Sequence, residues 1–190
     1  MKGLILLMTM AAWAAPAQTV VGFRDEYLEE LRGASKELTM LAEAMPAEKY
    51  GWRPGPGVRS VSEVYVHVAA GDFLLLAMAG KPLPKAYYPN AGAHPAAQQM
   101  YKRGSELERE VTTKADVVGM LKEAVAAAER EFRAADEAEL NRPAEFFGEK
   151  TTIRRIYLRI LAHTNEHLGQ SIAYARVNGV VPPWSMPKKK

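Results

Sequence analysis

Three of the four histidines in this sequence sit where a helix would turn them to one side. His163 and His167 belong to the series Ile153, Ile156, Ile160, His163, His167, Gln170 and Tyr174, spaced by three and four residues, which is one stripe of a helix. The first half of the stripe is aliphatic and has to face a core, so the two histidines follow it inward. A four-residue step turns a helix by about 400°, which leaves the imidazoles about 40° apart and about 6 Å along the axis. Two rings so placed can grip one ion. His67 lies on a second stripe with Val64, Gly71, Leu74, Leu75 and Met78. Each polar ring buried without a partner costs roughly 1–3 kcal/mol. One divalent cation relieves all three costs, because each neutral ring can give one nitrogen to the metal and donate from the other to a supporting acceptor.

Taken singly these residues have plainer uses. A lone core histidine such as His67 is ordinarily hydrogen-bonded, and an i, i+4 histidine pair arises by accident. The combination is what points to a metal. His94, in the loop Ala93-His94-Pro95, reads as exposed, and His94 and Gln170 are the candidates for a fourth ligand. Asp72, five residues after His67, falls on another face and is expected in solvent. Trp52 and Trp184 stand in proline-rich surroundings as packing anchors. The segment His163-Thr164-Asn165-Glu166-His167 also fits H-x-x-E-H, the inverted zinc-peptidase motif with glutamate as general base. That class takes a third ligand from a downstream glutamate, and no acidic residue follows His167. Glu166 is also rotated about 100° from His167, which makes it a surface group or a support for a ligand.

The elements that must position these rings are helical. Tyr27, Leu31, Ala34, Leu38, Leu41, Ala42 and Met45 mark a first helix that Pro46 ends. Ser60 and Glu63 have capping-box spacing and open a second helix running to about Ala79, where Gly80-Lys81-Pro82 stops it. Residues 81–95, with four prolines, form a long irregular connection, and 96–111 a short polar helix. A third long helix spans about Lys114 to Glu137, with Asn141-Arg142-Pro143 ending that element. The fourth runs from about Thr152 to Asn178 and closes on Gly179. No stretch alternates as a strand does. The expected fold class is all-α, an up-down type four-helix bundle with one long crossover.

Composition narrows the partners. The 190 residues carry 25 basic and 22 acidic side chains, a formal charge of +3, and no cysteine. Disulfides and cysteine-ligated metals are therefore excluded. Met1-Lys2, the apolar run Leu4–Ala15 broken by Thr9, and Ala15-Pro16-Ala17 read as a secretory signal peptide over residues 1–17, too short for a membrane span. The expected product is exported, periplasmic or extracellular, without a stable membrane anchor. Lys2 lies in this leader and Lys188–Lys190 form a basic tail at 188–190. The body, residues 18–187, then holds 21 basic against 22 acidic residues, a net of −1. Nucleic acid is not an expected partner of such a surface.

Two blocks resemble a known family. Met45-Pro46-Ala47-Glu48-Lys49-Tyr50 with Trp52-Arg53-Pro54, Val58-Arg59-Ser60-Val61 and His67 is similar to the front half of the DinB-like superfamily. His163-Thr164-Asn165-Glu166-His167-Leu168-Gly169-Gln170, continuing from Tyr174 to Pro183, is similar to its closing helix. The resemblance covers residues 20 to 183. It implies a four-helix bundle holding zinc or nickel through one histidine of helix two and two of helix four, which map onto His67, His163 and His167. It further implies a metal-dependent transferase, of the kind that uses a low-molecular-weight thiol, or a hydrolase, acting on a small-molecule substrate. Against the thiol stands the leader, since such thiols belong to the cytoplasm. The competing reading is a non-catalytic interaction protein, a homodimer in which metal only staples two helices, for which four protein ligands are expected.

Overall fold

The computed structural model describes residues 22–92 and 95–187, so the expected signal peptide 1–17, His94 and the lysine tail lie outside the described residues. Four long helices carry the structure: α1 (Phe23–Ala44), α2 (Val61–Met78), α4 (Lys114–Ala134) and α6 (Ile153–Val177). Two shorter helices, α3 (Ala97–Glu110) and α5 (Glu137–Asn141), and a hairpin of β1 (Pro143–Phe146) and β2 (Glu149–Thr152) fill the connections.

The ends of these helices follow from local chemistry. Met45, before Pro46, is extended and ends α1, since a residue preceding proline is pushed out of the helical region. The Ser60 hydroxyl accepts from the Glu63 N–H at 3.3 Å while the Glu63 carboxylate accepts from the Ser60 N–H at 2.7 Å, the expected capping box. Gly179 takes φ +75° and closes α6 as expected, with Val180 N–H donating to the Ala175 carbonyl and Gly179 N–H to that of Arg176.

Helix directions can be read from the contacts between their ends. Arg24 at the start of α1 donates to the carbonyls of Arg133 and Ala135 at the end of α4, and Lys114 at the start of α4 donates to those of Glu43 and Met45, so α1 and α4 are antiparallel. The Tyr27 hydroxyl donates to the Tyr157 carbonyl, start to start, so α1 and α6 run the same way. Tyr174 near the end of α6 meets Arg59 before α2, so those two are antiparallel. The order is therefore up, down, down, up. The long crossover through α3 is what lets α2 and α4 run in the same direction. Helices α1 and α2 lie across the diagonal of the bundle, each packed between α4 and α6.

Leu31, Leu38, Leu41, Met120, Leu121, Phe132, Ile156 and Ile160 fill the centre. Helix α2 is apolar all round and buried on nearly every side because α3, α4 and α6 all pack on it. This corrects the reading of Asp72, which is 1% exposed rather than solvated: the argument from a wet opposite face fails for a helix that has none. Burial raises the Asp72 carboxyl well above its ordinary range, and its Oδ1 has no hydrogen-bond partner. Two further differences concern residues 135–152. The third long helix stops at Ala134, and Asp136 caps the separate turn α5 by accepting from the Glu139 N–H at 2.8 Å. Strands of four residues are too short to show alternation; they pair antiparallel in the register Pro143↔Thr152 to Phe146↔Glu149 and pack on α2 and α6.

Candidate metal centre

His67 on α2 and His163 and His167 on α6 meet near the middle of the antiparallel α2/α6 pair. One ring nitrogen from each lies within 4.8 Å of the others. The Nε2 atoms of His67 and His163 are 3.3 Å apart. Tetrahedral coordination with bonds of about 2.0–2.1 Å puts ligand nitrogens about 3.3 Å from each other, so the pair already has the spacing an ion requires. Gly71, one turn after His67, faces the His163 ring. A Cβ on Gly71 would stand 2.5 Å from Cε1 of His163, so only glycine leaves room for that ring against α2.

Hydrogen bonds behind the rings fix which nitrogens are free. The Arg59 carbonyl can only accept, so the Tyr174 hydroxyl donates to it at 3.1 Å and itself accepts from the Gln170 amide at 2.9 Å. That turns the Gln170 carbonyl oxygen toward His167, whose Nδ1 donates to it at 2.8 Å. The Nε2 of His167 is left with its lone pair. On the other side the Arg59 guanidinium donates to Glu108 at 2.9 Å, and the second Glu108 oxygen accepts from His67 Nδ1, also at 2.9 Å. The Nε2 of His67 likewise keeps its lone pair, and across the 3.3 Å to His163 Nε2 it can only accept. Both arms of this support end on Arg59, one at its side chain and one at its backbone.

Electrostatics hold His163 and His167 neutral. Burial, with smaller contributions from His167 and His67, lowers His163 to about 3, and burial likewise lowers His167. Burial would raise Glu108, but the hydrogen bonds from His67 and Arg59 outweigh it and hold the carboxyl below its usual range. His163 Nδ1 is buried without a partner. Three imidazoles, two with their Nδ1 protons tied back and a third ring closed in beside them, form a donor set that fits a divalent cation of the zinc type.

Beside the rings lies a cleft of about 180 Å³, reached by His67 and His163 and walled mainly by apolar side chains from α2, α3 and the hairpin. Arg159 and Glu108 are the charged groups on its wall.

The structure therefore brings His67, His163 and His167 together as their periodicity predicts. Gln170, a candidate fourth ligand, instead spends its oxygen on His167. Glu166 is exposed and bonded through both oxygens to Arg159, which leaves the peptidase reading without its general base. Trp52 packs edge-on against Tyr174 at 5.3 Å and steadies that arm of the support, as an anchor should, while Trp184 is partly exposed in a short turn against α1. Glu108 and Gly71 are the functional residues that sequence reasoning misses. Gly71 stood on the histidine stripe without a role, and Glu108 lies in a polar helix with nothing local to mark it.

The class defined so far is a helical bundle with a histidine triad able to hold a metal. The model of the DinB superfamily matches residues 30–171, and the chain belongs to that family. Searching curated proteins gave no match. Among solved structures, a DinB-like protein from Bacillus cereus is 15% identical with a TM-score of 0.55, over 84% of this chain and 95% of that one. YfiT from Bacillus subtilis, described as a probable metal-dependent hydrolase with an unusual four-helix bundle topology, is 13% identical with a TM-score of 0.56, over 88% and 95%. A mycothiol-dependent maleylpyruvate isomerase is 11% identical with a TM-score of 0.61, over 77% of this chain and 59% of that one. At these identities the likeness is one of fold.

Proposed function

We propose that this is an exported metalloprotein that binds one divalent cation, zinc or nickel, through Nε2 of His67, His163 and His167, and that it is a metal-dependent transferase or hydrolase acting on a small molecule. The observation that carries the reading is the convergence of one ring nitrogen from each of the three histidines, within 4.8 Å of one another, beside an open cleft. Among the described residues the metal-capable group contains three side chains, not the four of a structural site. The non-catalytic staple is the weaker alternative for that reason. A divalent ion held by three neutral donors supplies Lewis-acid polarisation and uncompensated positive charge at that point.

The chain's own residues set up that chemistry. Glu108 and Gln170 hold the ring tautomers, and Gly71 gives His163 its place. The wall beside the triad is mainly apolar, and such surroundings strengthen electrostatic interactions. A fold shared with a protein described as a probable metal-dependent hydrolase and with a mycothiol-dependent isomerase is compatible with either reaction class. The body charge and the leader support export and argue against nucleic acid as partner. Protein loaded with zinc or nickel is to be assayed for turnover of esters and amides alone, and of electrophiles with assorted thiols. Metal-dependent turnover in one set assigns the class, and none in any set returns the protein to the non-catalytic reading.

A further inference from the structure

Resting on the metal reading above, we infer that the site takes a small ligand with an electron-pair-donating head and a neutral, flat apolar body about the size of one aromatic ring, seated between α3 and the tip of the β1–β2 hairpin. The cleft volume of about 180 Å³ suits such a body, since an apolar cavity of about 150 Å³ accommodates benzene. His67 and His163 stand on one side of it. Leu74 and Leu75 of α2 and Met100 of α3 form the apolar wall, and Tyr101 and Phe147 also line it.

The charged groups of the wall are already committed. Arg159 is bonded through two nitrogens to Glu166, and Glu108 to Arg59 and His67. A charged body would therefore leave its charge unpaired in the cleft, which favours a neutral aryl group. Tyr101 and Phe147 are 58% and 61% exposed, so the core does not account for them. Phe147 also sits at φ +48°, a left-handed conformation that costs any residue with a Cβ. An aromatic side chain held at a strained hairpin tip on the rim of a cleft is explained by what it covers there.

Acetohydroxamate and benzohydroxamate test this, because they share one metal-chelating head and differ in methyl against phenyl. Both are titrated calorimetrically into the metal-loaded protein. Benzohydroxamate is expected to bind at least about tenfold tighter, from the extra apolar surface buried. In a Tyr101→Ser, Phe147→Ser double variant, which leaves the core untouched, the ratio falls below about threefold with acetohydroxamate unchanged, and Phe147→Tyr preserves it. A wild-type ratio near one, or a ratio that the double variant does not lower, overturns the inference alone. Failure of both hydroxamates to bind protein that carries about one ion per chain overturns this inference and leaves the metal reading standing, whereas protein that takes up no ion overturns both.

Discussion

Replacing Glu108 by alanine removes the acceptor that ties back the His67 Nδ1 proton while leaving all three rings in place. The Glu108 side chain is 14% exposed and its bond to His67 is made by an ionised oxygen at 2.9 Å. A hydrogen bond to a charged group contributes about 1.5–3 kcal/mol, which corresponds to roughly ten- to hundredfold in metal affinity. Arg59, left behind, is 36% exposed and finds water, so little of the loss comes from a stranded charge. Gln170→Ala removes a neutral acceptor of the same kind from His167, worth about 0.5–1.5 kcal/mol, or roughly two- to twelvefold. Glu166→Ala removes an exposed carboxylate that serves only Arg159 in its hydrogen bonding, and its expected effect is within about twofold. Competition with a chromophoric chelator measures all three, with circular dichroism confirming that each variant keeps its helices. If Glu108→Ala binds as tightly as wild type, or Glu166→Ala weakens binding as much, the support network does not fix the rings and the tautomer argument fails.

Other substitutions address the packing around the site. Gly71→Ala should lower metal-free stability by about 1–2 kcal/mol, because displacing the buried His163 ring from a Cβ 2.5 Å from its Cε1 outweighs the gain of up to about 1 kcal/mol in helix propensity, and should also weaken metal binding at least tenfold; unchanged stability and affinity would show that the ring has somewhere else to go. Asp72 carries a pH dependence whose sign is fixed by burial. Its carboxyl titrates near 3.8 when unfolded and well above that when folded, so the stability present below about pH 4 is lost as pH rises toward the folded value. Metal-free Asp72→Asn should therefore melt progressively higher than wild type between pH 4 and pH 8, and a difference independent of pH contradicts a buried neutral acid.

How much of this could be read from the chain depends on whether the information was local. Ser60 with Glu63, Pro46 and Gly179 act within one turn of themselves, so helix ends were legible at those points. The inward histidines were legible because His163 and His167 share a stripe with Ile153, Ile156 and Ile160. Glu108 reaches His67 only because the crossover lays α3 against α2, a relation that no spacing in the sequence encodes. Asp72 looked solvated because a periodicity argument grants every helix a wet face, and α2, surrounded by α3, α4 and α6, has almost none. The hairpin escaped notice because four-residue strands carry too few alternations.

The account's central claim is that His67, His163 and His167 hold one divalent ion. Metal analysis of the protein purified without a histidine tag and dialysed exhaustively tests it most directly. The expected result is about one zinc or nickel ion per chain in wild type and none above background in a His163→Ala, His167→Ala double variant. Equal trace amounts in the two proteins would contradict it.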